Sequence, residues 1–183
     1  MTARRILGVD PGLRTTGYGV IECRGERFML VEGGVLEPRI DVPLELRLAE
    51  LHGAMLEVVQ ATQPECMVIE ELWTSYKNPT TAVLMGHARG VIALVAGTQG
   101  VALHHLAHSL VKRALVGSGA ADKTQVNGVV MRLLGLTTQP KPNDVSDALA
   151  LAIAFANIDA QRTRFARAGI VLPQRRSRPA RLA

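Results

Sequence analysis

The chain has 183 residues, of which 48% are hydrophobic and 20% are charged, and its formal net charge is +5. This apolar fraction can build a core, so the composition excludes a disordered chain, and the length suggests one compact domain with a tail. The longest uninterrupted apolar run, residues 148–156, is too short to cross a membrane. The N-terminus does not resemble a signal peptide, and 2 Cys are too few for a disulfide framework. We therefore expect a soluble, cytoplasmic protein.

The positive charge is concentrated at the C-terminus. Residues 161–183 contain seven Arg and no acidic residue, which leaves 14 Lys and Arg against 16 Asp and Glu in residues 1–160. We predict a folded domain over residues 1–160 and an Arg-rich, mobile tail over residues 161–183. The tail is either a solvated terminus or a non-specific phosphate-binding arm. If the body of the chain binds nucleic acid, a local patch must do so, because its overall charge is not positive.

The hydrophobic pattern and the turn residues predict an α/β domain. Three strand-like segments come first, separated by the turns Asp10-Pro11-Gly12 and Arg24-Gly25-Glu26. The predicted strands are residues 6–10, 15–22, 28–36, 66–69 and 101–106. The predicted helices are residues 43–60, 79–97, a short one after His108, one from about Lys123, and a last one capped by Asn143 and ending near Asp159. This order predicts a mixed five-stranded sheet, antiparallel in its first three strands and then parallel, flanked by helices.

The predicted helix over residues 79–97 carries a stripe of small residues. Gly86, Gly90, Ala93 and Gly97 follow one another at intervals of four, three and four, while large apolar side chains cover much of the remaining surface. A helix that is apolar around so much of its circumference is buried in the core, packed against a partner subunit, or both.

Four acidic residues occupy positions where a carboxylate is unexpected. Asp10 and Glu70 end apolar strands, where a buried charge is costly unless it is paired or binds a metal. Asp144 and Asp147 lie in the first turn of the last helix, about 60° apart around its axis, so both can point at one place. Each has a simpler explanation, since Asp10 can begin a turn, Glu70 can face water, and the helix dipole favours acids in a first turn. Together the four predict a site for Mg²⁺, which prefers oxygen ligands, and a pair of such ions can drive phosphodiester hydrolysis.

Three histidines fall between residues 104 and 108. His104 and His105 lie in a predicted strand, and His108 lies at the start of the short helix that follows. Their spacing matches no zinc site. We therefore interpret them as strand and helix-cap residues.

Several sequence blocks resemble those of RuvC-type Holliday junction resolvases. Residues 6–19 have the sequence ILGVDPGLRTTGYG, residues 68–71 have VIEE, and Lys77-Asn78 follow. Residues 87–90 have HARG and residues 144–150 have DVSDALA. The blocks occur in the family's order from about Arg5 to Asp159, and it is this order that makes the resemblance specific.

The resemblance implies an RNase H-like fold and a homodimer that cuts four-way DNA junctions symmetrically during recombination and repair. It implies two Mg²⁺ ions per active site, with Mn²⁺ as a substitute, and products with 5′-phosphate and 3′-hydroxyl ends. The family's acidic tetrad falls on Asp10, Glu70, Asp144 and Asp147. The implied partner, besides junction DNA, is the branch-migration motor formed by the RuvA and RuvB proteins.

The resemblance also places DNA-contacting residues in this chain. The family's basic positions near the scissile phosphate fall on Lys112 and Lys123, and an aromatic position falls on Trp73, the only Trp. A Trp among polar residues suits stacking on an unpaired base, although it could instead pack within its loop. The two lysines could likewise be merely solvated. Further candidates in the loop that contains Trp73 are Tyr76, Lys77 and Asn78.

Two other classes of function remain open on the residues alone. Asp-Pro-Gly followed by Thr-Thr-Gly resembles the phosphate-binding hairpin of actin-like ATPases and sugar kinases, but that class needs a second lobe for which 183 residues leave no room. A non-catalytic module that binds junctions and recruits other factors is the second alternative. It predicts binding without incision, and the full set of four acids argues against it.

Overall fold

The computed structural model describes residues 3–71 and 79–170. Its centre is a five-stranded sheet with the strand order β3-β2-β1-β4-β5. The strands are β1 (Arg4–Asp10), β2 (Thr16–Arg24), β3 (Arg27–Leu36), β4 (Cys66–Glu70) and β5 (Ala102–Leu106). The first three strands pair antiparallel, whereas β4 runs parallel to both β1 and β5. The predicted mixed sheet is therefore confirmed.

Five helices cover the two faces of the sheet. They are α1 (Leu44–Thr62), α2 (Pro79–Thr98), α3 (His108–Val116), α4 (Lys123–Leu134) and α5 (Asn143–Arg167). Strand residues alternate between the faces. Ile6 and Val68 pack with α3, α4 and α5, while Leu7 and Met67 pack with α1 and α2. By this alternation, the last residues of β1 and β4 face the side covered by α5.

Helix α5 lies directly on the backbone of β1 and β2, because glycines form the surface beneath it. A Cβ atom on Gly8 would lie 1.9 Å from the carbonyl oxygen of Ala148, and one on Gly17 would lie 2.3 Å from that of Asp144. Real atoms do not approach so closely, so only glycine permits this packing. Residues 148–156 of α5 are buried throughout, and they form the largest part of one core cluster.

The predicted ends of α5 are wrong at both termini. Pro142, and not Asn143, precedes the helix, and no side chain caps it. The Asn143 amide oxygen instead accepts a hydrogen bond from Gln139 Nε2 at 3.1 Å. At the other end the helix continues past Asp159 to Arg167. Residues 160–167 are all exposed, so they lack the apolar periodicity from which a helix is predicted.

Helix α2 has one buried side and one exposed side. Ala88, Ile92 and Val95 belong to the core, whereas Val83 and Leu94 are 59% and 55% exposed. Within the described residues, α2 is the one helix whose length and composition would suit a membrane crossing. Only 28% of its apolar 18-residue window is buried, so the core covers one side of α2 and apolar residues remain on the other. Of the predicted alternatives, packing in the core holds for the buried side, packing against a partner subunit stays a prediction, and the small-residue stripe lies mainly on the exposed side.

Replacement of Gly8 by alanine tests the glycine surface beneath α5. We expect Gly8→Ala to lower the free energy of unfolding by roughly 1–3 kcal/mol or more, because the new methyl group overlaps the backbone of α5. Gly128→Ala is the matched control, since Gly128 lies in a helix with nothing within 4 Å of the added Cβ. That change should raise stability by up to about 1 kcal/mol. Urea denaturation measures both, and equal stability of the two variants would contradict the close packing.

Candidate active site

Two of the four acids meet at one edge of the sheet. Asp10 is the last residue of β1 and Glu70 is the last residue of β4. These strands are parallel, with Val9 opposite Ile69, so the two carboxylates follow at neighbouring positions. Both side chains line a cleft of about 160 Å³.

The first turn of α5 brings the other two acids to the same place. Asp147 lines the cleft together with Asp10 and Glu70. Asp144 is not part of the cleft wall, but its charge acts on Asp10. The glycine surface causes this proximity, because Gly17 lies opposite Asp10 in the β1–β2 pairing and directly beneath the backbone of Asp144.

Two lysines complete the opposite wall of the cleft. Lys112 lies on α3, and Lys123 is the first residue of α4. The ammonium of Lys123 donates to Asp147 Oδ2 at 2.6 Å. A capping box between Asp122 and Gln125 fixes the start of α4 and therefore the position of Lys123. Both lysines predicted to lie near the scissile phosphate are thus beside the carboxylates.

His108 is a cleft residue that the sequence analysis did not identify. Its Nδ1 lies 2.8 Å from Glu70 Oε1, so the interpretation of His108 as only a helix-cap residue is wrong. The pairing arises because β5 runs beside β4 with Leu106 opposite Glu70, and α3 begins two residues later. The sequence contains no local signal for this contact, since the two residues are 38 positions apart. His104 stacks near Phe155, with 4.4 Å between ring centroids, as a strand residue.

The carboxylates in the cleft disturb one another electrostatically. The pKa of Asp10 is raised to about 7, first by burial and then by the charges of Asp147, Asp144 and Glu70. Lys123 acts in the opposite direction but only partly offsets them. Near neutral pH the cleft therefore holds excess negative charge that a cation would neutralise.

The donor chemistry of the cleft fits Mg²⁺. Mg²⁺ binds carboxylate oxygens and keeps several waters, so it does not need a complete cage of protein ligands. In the described part of the chain, no three acidic, His or Cys side chains already converge as a ligand cluster. Glu70 and Asp147 instead contact His108 and Lys123. Each of these contacts uses one carboxylate oxygen, so the second oxygen of Glu70 and of Asp147 could bind a cation.

The remaining predicted DNA contacts fall on the loop between β4 and α2. These residues are Trp73, Tyr76, Lys77 and Asn78, and they lie outside the described residues. Residues 171–183 of the predicted tail also lie outside them. The DNA contacts of these four residues and the nature of the tail therefore stay predictions.

The raised pKa of Asp10 predicts a pH-dependent cost to folding. In the unfolded chain its pKa is near 3.9, so the unfolded state loses this proton first and stability falls as pH rises from about 4 to 7. We expect Asp10→Asn to stabilise the metal-free protein at pH 8 by up to about 4 kcal/mol. This gain in stability should vanish well below pH 4, where Asp10 is protonated in both the folded and the unfolded state.

Urea denaturation in EDTA at several pH values measures this effect. Asp41→Asn is the matched control, because Asp41 is exposed and should change stability little at any pH. A stability gain for Asp10→Asn that is the same at pH 4 and pH 8 would contradict the electrostatic explanation.

Comparison with known proteins shows the family of this chain. Residues 6–155 match the family model described as Crossover junction endodeoxyribonuclease RuvC. The protein of that name from Rhodopirellula baltica is 43% identical over 152 residues, which cover 83% of this chain and 85% of the relative. The relative from Desulforamulus reducens is 42% identical over 151 residues, which cover 82% of this chain and 92% of that relative.

A solved structure supports the same assignment. RuvC of T. thermophilus, in complex with a Holliday junction substrate, superimposes with a TM-score of 0.83 at 32% identity over 87% of this chain and 97% of that one. The yeast mitochondrial resolvase Ydc2 shares the fold, with a TM-score of 0.63 at 12% identity. The predicted RNase H-like fold is thereby confirmed. The chain belongs to the RuvC family of crossover junction endodeoxyribonucleases.

Proposed function

We propose that this protein resolves four-way DNA junctions by paired, symmetric nicks during homologous recombination and DNA repair. The observation that carries the proposal is the cleft in which Asp10, Glu70 and Asp147 face Lys112 and Lys123. The match to RuvC over residues 6–155 favours this function over an ATPase lobe. The RuvC relative solved with a Holliday junction substrate supports junction DNA as the ligand.

The reaction is hydrolysis of a phosphodiester, which leaves a 5′-phosphate and a 3′-hydroxyl. A bound pair of Mg²⁺ ions, for which Mn²⁺ could substitute, would supply positive charge at the phosphate and would favour ionisation of the attacking water. The residues that would hold the ions are Asp10, Glu70, Asp144 and Asp147. Asp10 has the central place, because β1 lies between β4, which ends in Glu70, and β2, whose Gly17 lies beneath Asp144.

The two lysines bind the phosphate in this proposal. Lys123 donates to Asp147 in the protein alone, and the same ammonium can turn to a phosphate oxygen when cations occupy the carboxylates. Lys112 lines the cleft from α3, and no ion pair holds it within the described residues. A flexible side chain with three donors suits a phosphate whose position changes as the strand enters.

The loop between β4 and α2 is proposed to contact the junction centre. Trp73 would stack on an unpaired base and hold the distorted centre open. Tyr76, Lys77 and Asn78 would extend this DNA-facing surface. These roles rest on the family resemblance and on the position of the loop directly after Glu70.

A second copy of the chain is proposed to cover the exposed side of α2. Val83 and Leu94 project there, and Gly86, Gly90 and Gly97 have nothing within 4 Å of an added Cβ. Such a surface lets another backbone approach closely. A two-fold dimer would place one active site on each of two opposite strands, as symmetric resolution requires.

The cellular setting follows from the same family. Relatives of this kind are bacterial DNA-processing enzymes, so we place the protein in the cytoplasm. The RuvA and RuvB branch-migration motor remains a proposed partner, and no described surface is assigned to it. The Arg-rich C-terminal residues would add non-specific phosphate contacts.

Loss of one carboxylate tests the catalytic assignment. We expect Asp10→Asn to reduce Mg²⁺-dependent nicking of a synthetic four-way junction by on the order of 10³-fold or more, because the central ligand loses its charge. Junction binding in Ca²⁺ should persist. Asp41→Asn, at an exposed acid far from the cleft, should cut normally. Denaturing gels with one labelled strand at a time measure the nicks.

Two results would contradict the proposal. Full cleavage by Asp10→Asn would remove the carboxylates from the mechanism. Tight junction binding by the unaltered protein without nicks in Mg²⁺ or Mn²⁺ would instead favour the non-catalytic recruitment module.

A charge on the exposed side of α2 tests the dimer. We expect Leu94→Glu to yield monomers by analytical ultracentrifugation and to abolish paired nicking, because a buried carboxylate at the contact would be unpaired. Ile40→Glu is the matched control, since Ile40 is 63% exposed at a site outside α2. A dimer that survives Leu94→Glu would exclude this side of α2 as the contact.

A further inference from the structure

A second cavity lies at the same edge of the sheet but on its opposite face. It has a volume of about 320 Å³ and is lined by the loop after β1, by α1 and by the beginning of α2. Arg14 and Thr15 come from the loop, Arg47 from α1, and Thr81 from α2. Leu13, from the same loop, packs in the core beneath α1 and α2. The cavity is therefore separated from the carboxylate cleft by the thickness of the sheet.

The loop that forms one wall is rigid. The Thr16 hydroxyl donates to the carbonyl of Gly12 at 2.5 Å and accepts from its amide at 3.1 Å. A Cβ on Gly12 would lie 2.3 Å from the carbonyl oxygen of Thr15, so the turn requires glycine. Arg47 ties the loop to α1, because its Nη2 donates to the carbonyl of Leu13 at 3.0 Å. The cavity is thus a preformed feature and not the gap beside a loose loop.

The cavity carries positive charge that nothing in its wall neutralises. Two guanidinium groups line it, and none of its lining residues is acidic. Arg47 Nε is buried without a hydrogen-bond acceptor, and Arg14 has no ion pair among the described residues. By contrast, Arg4, Arg39 and Arg164 each pair with a carboxylate. Because neither guanidinium has a carboxylate partner among the described residues, the cavity is suited to an anion.

The chemistry of the wall selects a phosphate. Guanidinium groups bind phosphate oxygens through paired, charge-assisted hydrogen bonds. Thr15 and Thr81 add hydroxyl donors at the same wall. Its volume of about 320 Å³ is ample for one phosphate group.

The position of the cavity indicates where that phosphate comes from. Arg14 follows Asp10 by four residues, so their Cα atoms are at most about 14 Å apart. A strand that crosses the carboxylate cleft at the sheet edge therefore has phosphates within reach of both sites. We propose that Arg14 and Arg47 bind a backbone phosphate of the junction DNA, on the face of the sheet opposite the catalytic carboxylates. This inference rests on the proposed function, because it takes junction DNA as the ligand.

Salt-dependent binding tests the site. Fluorescence anisotropy with a synthetic four-way junction in Ca²⁺ gives the affinity at several salt concentrations. We expect Arg14→Ala to weaken binding roughly five- to tenfold. A plot of the logarithm of the association constant against the logarithm of the salt concentration has a negative slope. The variant should make this slope shallower by about 0.7–0.9, the value for one lost phosphate contact. Arg14 is exposed, so this variant should fold.

A second variant and a matched control complete the design. Arg47→Gln keeps a donor for the carbonyl of Leu13 while removing the charge, and it should reduce the slope by the same amount. Arg27→Ala is the control, because it removes an equal charge from an exposed residue at the start of β3. That residue is about 30 Å along the strand from Leu36, which pairs with Thr16 beside the cavity. This control variant should leave the slope unchanged.

The possible outcomes separate this inference from the proposed function. Equal losses in Arg14→Ala and Arg27→Ala would reduce the effect to net charge and overturn the site. Stabilisation by inorganic phosphate that depends on Arg14, with unchanged junction slopes, would assign the cavity to free phosphate and overturn the DNA assignment. Failure of the unaltered protein to bind or cut junctions would contradict the proposed function itself.

Discussion

The contact between α5 and the glycine backbone of β1 and β2 determines how the site is assembled. Gly8 lets the helix rest on the sheet at Ala148, and Gly17 does the same at Asp144. Because the helix axis is fixed at two points, its first turn is fixed as well. The seating of α5 brings Asp144 and Asp147 near Asp10, and Lys123 holds the Asp147 carboxylate at 2.6 Å. The close packing that buries the centre of α5 thus also positions two of the four acidic residues of the site. Stability and function therefore depend on the same contact.

That assembly has an electrostatic cost. Burial and three neighbouring acids raise the pKa of Asp10 to about 7, so the folded chain resists full ionisation of its own cleft. Lys123 contacts Asp147 and partly offsets the repulsion, and His108 contacts Glu70. Sites that bind cations commonly sacrifice stability in this way. The second cavity shows the opposite imbalance, since Arg14 and Arg47 are held together without an acid. The sheet edge therefore separates a negative face, suited to cations, from a positive face, suited to phosphate.

Local sequence was sufficient to predict most of the fold. Strand and helix order follow from hydrophobic periodicity and turn residues, and Asp10 and Glu70 stand out because they end apolar strands. The far end of α5 was not predictable, because residues 160–167 have no buried side from which periodicity could arise. The contact of His108 with Glu70 depends on the register of β5 beside β4. The cavity at Arg14 and Arg47 likewise depends on tertiary packing, because Arg47 lies 33 residues beyond Arg14 in the sequence.

Divalent-cation binding by Gly17→Ala tests the central claim most directly. A methyl group at this position would overlap the backbone of Asp144 and displace the first turn of α5, while every carboxylate stays in the sequence. Electron paramagnetic resonance of free Mn²⁺ gives the affinity, and circular dichroism verifies that the variant is folded. We predict that folded Gly17→Ala binds Mn²⁺ at least about tenfold more weakly than the unaltered protein. Equal affinity would show that the seating of α5 on the glycines does not assemble the site.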